Sequence, residues 1–260
     1  FCLCAQVAER TVSSNSFKTA AFYSRQRTVH DGLMDADQPL VGVGSVDHDN
    51  HENPPKNGRA WPEITRFELD DIDKAVLAGL PSDLWGSDPD GTWPVTREQA
   101  LIRLDEFVLT GLEPFGPHED AMLAAEWKMA HSVLSTSMNI GLLHPVEVVH
   151  AVEQACRERN LPLNSVEGFV RQVIGWREYV WCVYWLWMPD YRSRNALQAD
   201  RPVPPVFTGD ADTDMKCVAS TMRHVHDHGY AHHIERLVVL GHLALPAGVA
   251  PPALTAFMGA

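Results

Sequence analysis

The stretch Glu167-Gly168-Phe169-Val170-Arg171-Gln172-Val173-Ile174-Gly175-Trp176-Arg177-Glu178-Tyr179 threads charged and aromatic side chains through an otherwise apolar helical run. Leaving such polar groups unpaired inside a fold is costly, so they need partners. A second stretch, Gly229-Tyr230-Ala231-His232-His233-Ile234-Glu235-Arg236-Leu237, has the same character. A buried ligand with phosphate and ring systems accounts for both. Helical periodicity spreads outward from the first stretch. Ser165–Met188 reads as one long helix capped by Asn164-Ser165-Val166-Glu167, and Pro145–Arg159 as another with its proline in the first turn. Glu119–Leu134, Asp214–His228 and Tyr230–Leu245 carry the same period. Thr96-Arg97-Glu98-Gln99 opens a helix over Thr96–Leu112, and a weaker one covers Asp71–Leu80. The polar run from Asp47 to Gly58 is turn-forming and holds no regular element. No segment alternates as a strand does and no repeat is present, so the expected fold class is mostly α.

The chain has 260 residues, 45% hydrophobic and 21% charged, a soluble globular profile with length for a sizeable core. Cys2, Cys4, Cys156, Cys182 and Cys217 are too few and scattered for a disulfide scaffold, which points to a reducing compartment, the cytoplasm. The longest apolar run, Val180 to Met188, is about half of the ~20 residues a membrane span needs, so no membrane partner is expected. Net charge is −13 and no Lys/Arg-rich run occurs, which argues against nonspecific nucleic-acid binding. Acidic residues gather in 31–120, as in Glu68-Leu69-Asp70-Asp71-Ile72-Asp73. The chain starts at Phe1 without a signal-peptide pattern and ends in a small, apolar, Pro-interrupted segment. The expectation is a fragment, truncated at both ends, whose apolar helices find further partners outside it.

Several clusters carry chemistry. His131-Ser132-Val133-Leu134-Ser135-Thr136-Ser137-Met138-Asn139-Ile140-Gly141-Leu142-Leu143-His144-Pro145 gathers small hydroxyls ahead of a glycine and a proline. Hydroxyls and backbone N–H groups at such a helix end suit an anion, although an ordinary serine-rich junction has the same composition. On an α-helix Gln172, Trp176 and Arg177 share one broad face; the plain alternative makes Trp176 a core aromatic and Arg177 a salt-bridge partner. Of the adjacent His232 and His233, at most one faces a pocket squarely, and a histidine suits proton transfer near neutral pH. With His224, His226 and His228 the density also suits a metal ion, and His226-Asp227 admits a metal-dependent phosphohydrolase. Cys217 on this chain alone reads as a lone buried thiol.

These segments resemble the photolyase/cryptochrome family, most closely its bacterial iron–sulfur branch of deoxyribodipyrimidine photolyase-related, (6-4) photolyase-like proteins. The resemblance runs almost the whole length, including Phe22-Tyr23-Ser24-Arg25-Gln26-Arg27, Gly32-Leu33-Met34 and Asp47-His48-Asp49-Asn50. It implies an incomplete helical FAD-binding domain of photolyase type. Residues 61–260 are then its N-terminal part, and residues 1–60 an irregular linker following a missing antenna domain that binds an antenna chromophore. Carried over position by position, it implies Ser132, Leu134 and Ser135 at the flavin diphosphate, with Arg177 and Arg236 near the flavin. It implies Gln172 and Trp176 at the flipped-out lesion, and His232 and His233 as catalytic residues. Cys217 matches a ligand of a [4Fe–4S] cluster, which takes four thiolates; the other three fall beyond Ala260. Departures from the family pattern are Phe207 for an electron-transfer Trp, Glu235 for Gln and His242 for Asn.

The implied activity is light-driven, FAD-dependent repair of UV-induced pyrimidine dimers, with UV-damaged DNA as partner and the lesion extruded from the duplex. The histidine pair points to (6-4) photoproducts, and the protein is expected to be a monomer. The runner-up is a cryptochrome-like blue-light photoreceptor without repair. A further reading leaves the truncated chain inactive on its own.

Overall fold

The structure is a computed structural model that describes residues 19–30, 32–35, 38–39 and 45–259. Phe1, Cys2, Cys4 and most of the expected linker's first part lie outside the described residues. The fold is mostly helical. The described residues also hold an antiparallel ladder of β1 (Met34–Asp35) on β2 (Gln38–Pro39), too short for any alternation to announce it, and isolated bridges at Leu123–Glu126 and Arg201–Val249.

The helices are α1 (Thr19–His30), α2 (Asp71–Ala78), α3 (Arg97–Glu106), α4 (Leu112–His118), α5 (Ser135–Asn139) and α6 (Pro145–Arg159). They continue with α7 (Leu163–Val170), α8 (Glu178–Trp187), α9 (Lys216–His228), α10 (His242–Ala244) and α11 (Pro251–Gly259). The start signals explain several boundaries. Asp70 accepts from the N–H groups of Ile72 and Asp73 at 2.7 and 2.9 Å, and Thr96 closes a capping box with Gln99. Pro145 sits in the first turn of α6, and Asn160 ends that helix in the left-handed region at φ 51°. The predicted cap at Asn164-Ser165 does not form: α7 starts earlier, at Leu163. Asn164 instead bonds Asn50 across the fold at 2.9 Å, and Ser165 donates to the carbonyl of Glu113 at 2.7 Å.

π-helical turns join helices at Phe107–Gly111 between α3 and α4, at Arg171–Arg177 between α7 and α8, and at Glu235–Gly241 ahead of α10. The expected helices over Thr96–Leu112 and Ser165–Met188 are therefore longer than predicted and not α throughout. The largest departure is Glu119–Leu134, expected as a helix and found as turns and extended chain. Its composition favours helix, but tertiary contacts win. Lys128 is buried, donating to the carbonyls of Pro62 and Met129. Met129 and Val133 adopt positive φ of 47° and 50°, which breaks any helical path.

The main core joins Leu104, Phe107, Leu112 and Phe115 to Val148, Val152, Val166, Phe169, Val170 and Ile174. A second core gathers Phe207, Val218, Met222, Val239 and Leu240, with Phe257 of α11 stacked on Phe207 at 5.0 Å. Helix α1 packs on the Arg171–Arg177 turn and on α8 through Phe22 and Tyr23. Behind Tyr23, Arg171 pairs with the fully buried carboxylate of Glu167 at 2.6 Å and lies 4.8 Å from the Tyr23 ring centre. The opposite face of α8 is open to solvent: Val180, Trp181, Tyr184 and Trp185 are exposed. No helix among the described residues is long and apolar enough to cross a membrane.

The tightest helix pair is α4 on α7. A Cβ added at Gly116 would lie 2.4 Å from Ser165 Cα, a backbone atom that cannot step aside. Gly116→Ala is therefore expected to cost ~2 kcal/mol or more in urea unfolding, because overpacking here forces the helices apart. A variant as stable as the parent would show that the helices are not in this register.

Candidate functional site

A cavity of about 260 Å³ opens where the irregular 119–134 segment, α5, the Arg171–Arg177 turn and the segment ahead of Glu235 converge. Of the residues singled out in the sequence, Ser132, Leu134, Ser135, Gln172, Arg177, His233 and Arg236 line it. Phe115, Phe169 and Tyr230 supply aromatic wall, with Phe115 edge-on to Phe169 at 5.7 Å. None of its described lining residues is acidic, in a chain of net charge −13. Two guanidiniums in a pocket within an acidic protein focus a local positive potential.

Each side chain has a local cause. Val133, β-branched and at φ 50°, reverses the chain so that Ser132 and Ser135 flank one wall. Helix α5 has no side-chain cap at Leu134, so its opening N–H groups stay available. Beside them the hydroxyls of Thr136 and Ser137 are buried without a hydrogen-bond partner. In the Arg171–Arg177 turn closure runs from i to i+5, so residues five apart share a face. Gln172 and Arg177 thus both meet the cavity. Trp176, expected beside them, turns outward: it is 49% exposed and rests edge-on against Tyr179 at 5.8 Å. Arg177 is held by the side-chain oxygen of Asn139 at 3.0 Å, and Gln172 donates to the Gly168 carbonyl at 3.2 Å.

The adjacent histidines separate. His233 lines the cavity and meets Asp120 Oδ1 at 3.3 Å, while Asp120 Oδ2 meets His51 at 3.0 Å. The two imidazoles hold the Asp120 carboxyl below its ordinary range. His232 is buried behind the wall, stacked on His131 with ring centres 4.6 Å apart. Burial pushes His232 down from 6.5 to about 4, and His131 falls well below 6.5 for the same reason. Burial also brings Lys128 down to about 8. Asp120 and His131 belong to this site and were not named as site residues. His131 stands next to a named serine, whereas nothing local marks Asp120, whose place depends on the non-helical path after α4.

The donor set fits a ligand with an anionic group and a ring system: hydroxyls, uncapped N–H groups, two guanidiniums and aromatic walls. It therefore fits a flavin with its diphosphate. The described residues do not by themselves fit an iron–sulfur cluster. Cys217, expected as a buried thiol, is exposed on the first turn of α9, because the core-facing stripe of that helix runs through Val218 and Met222. Cys156 and Cys182 are buried in separate cores. Among the described residues no group of three or more His, Cys, Asp or Glu is placed to hold a metal ion. His226 and Asp227 pair with each other at 2.8 Å, half-exposed, and supply no such set.

The buried histidines make stability depend on pH. Below about pH 6.5 the unfolded chain binds protons on His131 and His232 that the fold refuses, so stability falls as pH drops from 6.5 toward 4. The urea midpoint is expected to decline steeply between about pH 7 and about pH 5, and His232→Asn to flatten that decline. An unchanged slope in the variant would sink the assignment of a neutral buried ring.

The family described as deoxyribodipyrimidine photo-lyase-related protein matches residues 1–84. A protein named (6-4) photolyase from Agrobacterium fabrum (strain C58 / ATCC 33970) is 39% identical over 236 residues, covering 90% of this chain. The chain spans 46% of that relative's length. Together with the helical fold and the composition of the cavity, these likenesses place the chain in the photolyase-related family.

Proposed function

We propose that this chain is the flavin-facing part of a light-driven photolyase acting on UV-induced pyrimidine dimers, with (6-4) photoproducts as the substrate class. The observation that carries this reading is the convergence of Ser132, Ser135, Gln172, Arg177, His233 and Arg236 on one cavity from separate segments. Residues 61–260 then form the N-terminal part of the FAD-binding domain, and the residues before them link it to an antenna domain. Ser132, Ser135 and the first N–H groups of α5 would hold the diphosphate of FAD, and Arg177 and Arg236 its remaining polar edge. Bound FAD supplies the light-driven electron.

The chain's own residues do the rest. The aromatic wall excludes water, and Gln172 offers an amide to an extruded base. His233, with Asp120 on one side and the cavity on the other, holds or gives a proton at the edge of the site. Cys217 is exposed, as a cluster ligand shared with further cysteines outside this chain would be, and no step here passes through it. The protein acts as a cytoplasmic monomer on damaged DNA. The outward Trp176 and the net charge of −13 favour a second reading, a blue-light photoreceptor that keeps the pocket without repair.

Flavin retention and lesion repair under blue light separate these readings. Arg177→Ala and Arg236→Ala are each expected to weaken FAD binding roughly tenfold to a hundredfold, the usual worth of a charge-assisted hydrogen bond. His233→Asn is expected to retain FAD and lose conversion of a (6-4) photoproduct in a synthetic oligonucleotide. Flavin photoreduction with no lesion conversion by the parent chain would favour the photoreceptor. Failure to bind FAD at all would overturn both.

A further inference from the structure

Behind the cavity wall lies a buried group that the proposed reaction leaves unused. His232, Glu235 and His224 are all nearly inaccessible to solvent. Glu235 Oε1 is held by His224 Nδ1 at 2.8 Å. Its second oxygen, Oε2, has no hydrogen-bond partner and lies 3.7 Å from His232 Nε2. Both ring nitrogens of His232 are likewise unpartnered. The gap of 3.7 Å is too long for a hydrogen bond and too short to hold a water between the two atoms. A shift of about 1 Å closes it. A buried carboxylate oxygen facing an unpartnered imidazole across that distance is costly unless the two are used together.

We propose that Glu235 is the positioning residue for His232. Clamped by His224, its free oxygen takes the Nε2–H of His232, which fixes that tautomer and leaves Nδ1 as the nitrogen that accepts and returns a proton. A proton arriving on Nδ1 converts a neutral ring beside a carboxylate into an imidazolium–carboxylate pair. The pair carries no net charge, so burying it costs far less than burying an isolated imidazolium. The other groups facing His232 do not supply this. His131 is stacked on it and neutral, His233 stands 6.5 Å away with its ring turned toward Asp120, and Lys128 acts on His131 as a like charge. In catalysis the inference rests on the photolyase reading: His232 becomes a transient proton acceptor behind His233.

The test uses the 260-residue chain with ¹⁵N-labelled histidine and reads the ring nitrogens of His232 across pH by NMR. Glu235→Gln keeps the shape of the side chain, so it is expected to fold. It removes the negative charge and is expected to lower the proton affinity of His232 about tenfold, one pH unit, with mixing of the tautomers. His224→Gln releases the clamp and leaves the whole carboxylate charge to His232, which should raise that affinity by a similar factor. Shifts of the same sign in both variants, or none, overturn the proposal. Lesion conversion against pH is measured in parallel. If the ring signals move as expected while the parent converts no lesion, the photolyase reading falls and the positioning role stands. If lesions are converted and the signals do not respond, the positioning role falls alone.

Discussion

The near-contact of α4 and α7 at Gly116 and Ser165 governs the architecture, because it is made by backbone atoms that cannot repack. Only a residue without a Cβ lets the helices approach so closely, and only a small neighbour leaves a hydroxyl free to reach the Glu113 carbonyl. That approach sets Phe115 against Phe169 and so builds the aromatic floor of the cavity. It also fixes the direction in which α7 runs into the Arg171–Arg177 turn, and hence where Gln172 and Arg177 emerge. The buried Glu167–Arg171 pair, covered by Tyr23 of α1, secures the other side of the same turn. Backbone contact, ion pair and aromatic lid brace one short piece of chain from three directions.

Much of the fold was legible in the sequence because local chemistry and tertiary context agreed. Pro145, Asn160, Asp70 and Thr96 each do near a helix end what their side chains prefer to do. The 119–134 segment was not legible, since its Ala, Leu, Met and Glu content favours the helix that burial of Lys128 and the left-handed Met129 and Val133 forbid. The site shows the same division. Ser132, Ser135, Arg177 and Arg236 could be named from their order in the chain. Trp176 does not share the cavity face with Gln172 and Arg177, because a π turn changes which neighbours share a face and leaves no compositional mark. Asp120 has no local mark, because its place between His51 and His233 depends on the non-helical path of that segment.

The electrostatics of the chain are divided in space. Its surplus of acid is heavy in 31–120, while the cavity presents arginines, hydroxyls and a histidine. An anionic ligand is thus repelled by much of the surface and welcomed at one opening, which makes entry selective by location. Asp120 and Glu235 stand just behind the lining, each joined to histidines that share their charge. Those two acids therefore reach the pocket through imidazole rings, and Glu119 through the amide of Gln172 at 3.5 Å.

The π turn at Arg171–Arg177 has a consequence for descent as well as for geometry. It carries one residue more than the α turn it replaces, so removing one residue would return the segment to α geometry while the helix downstream kept its facing. Trp181, Tyr184 and Trp185 would keep the open face of α8, and the change would be confined to the turn itself. One extra residue thus adds a side chain to a continuous rod without turning the helices on either side of it.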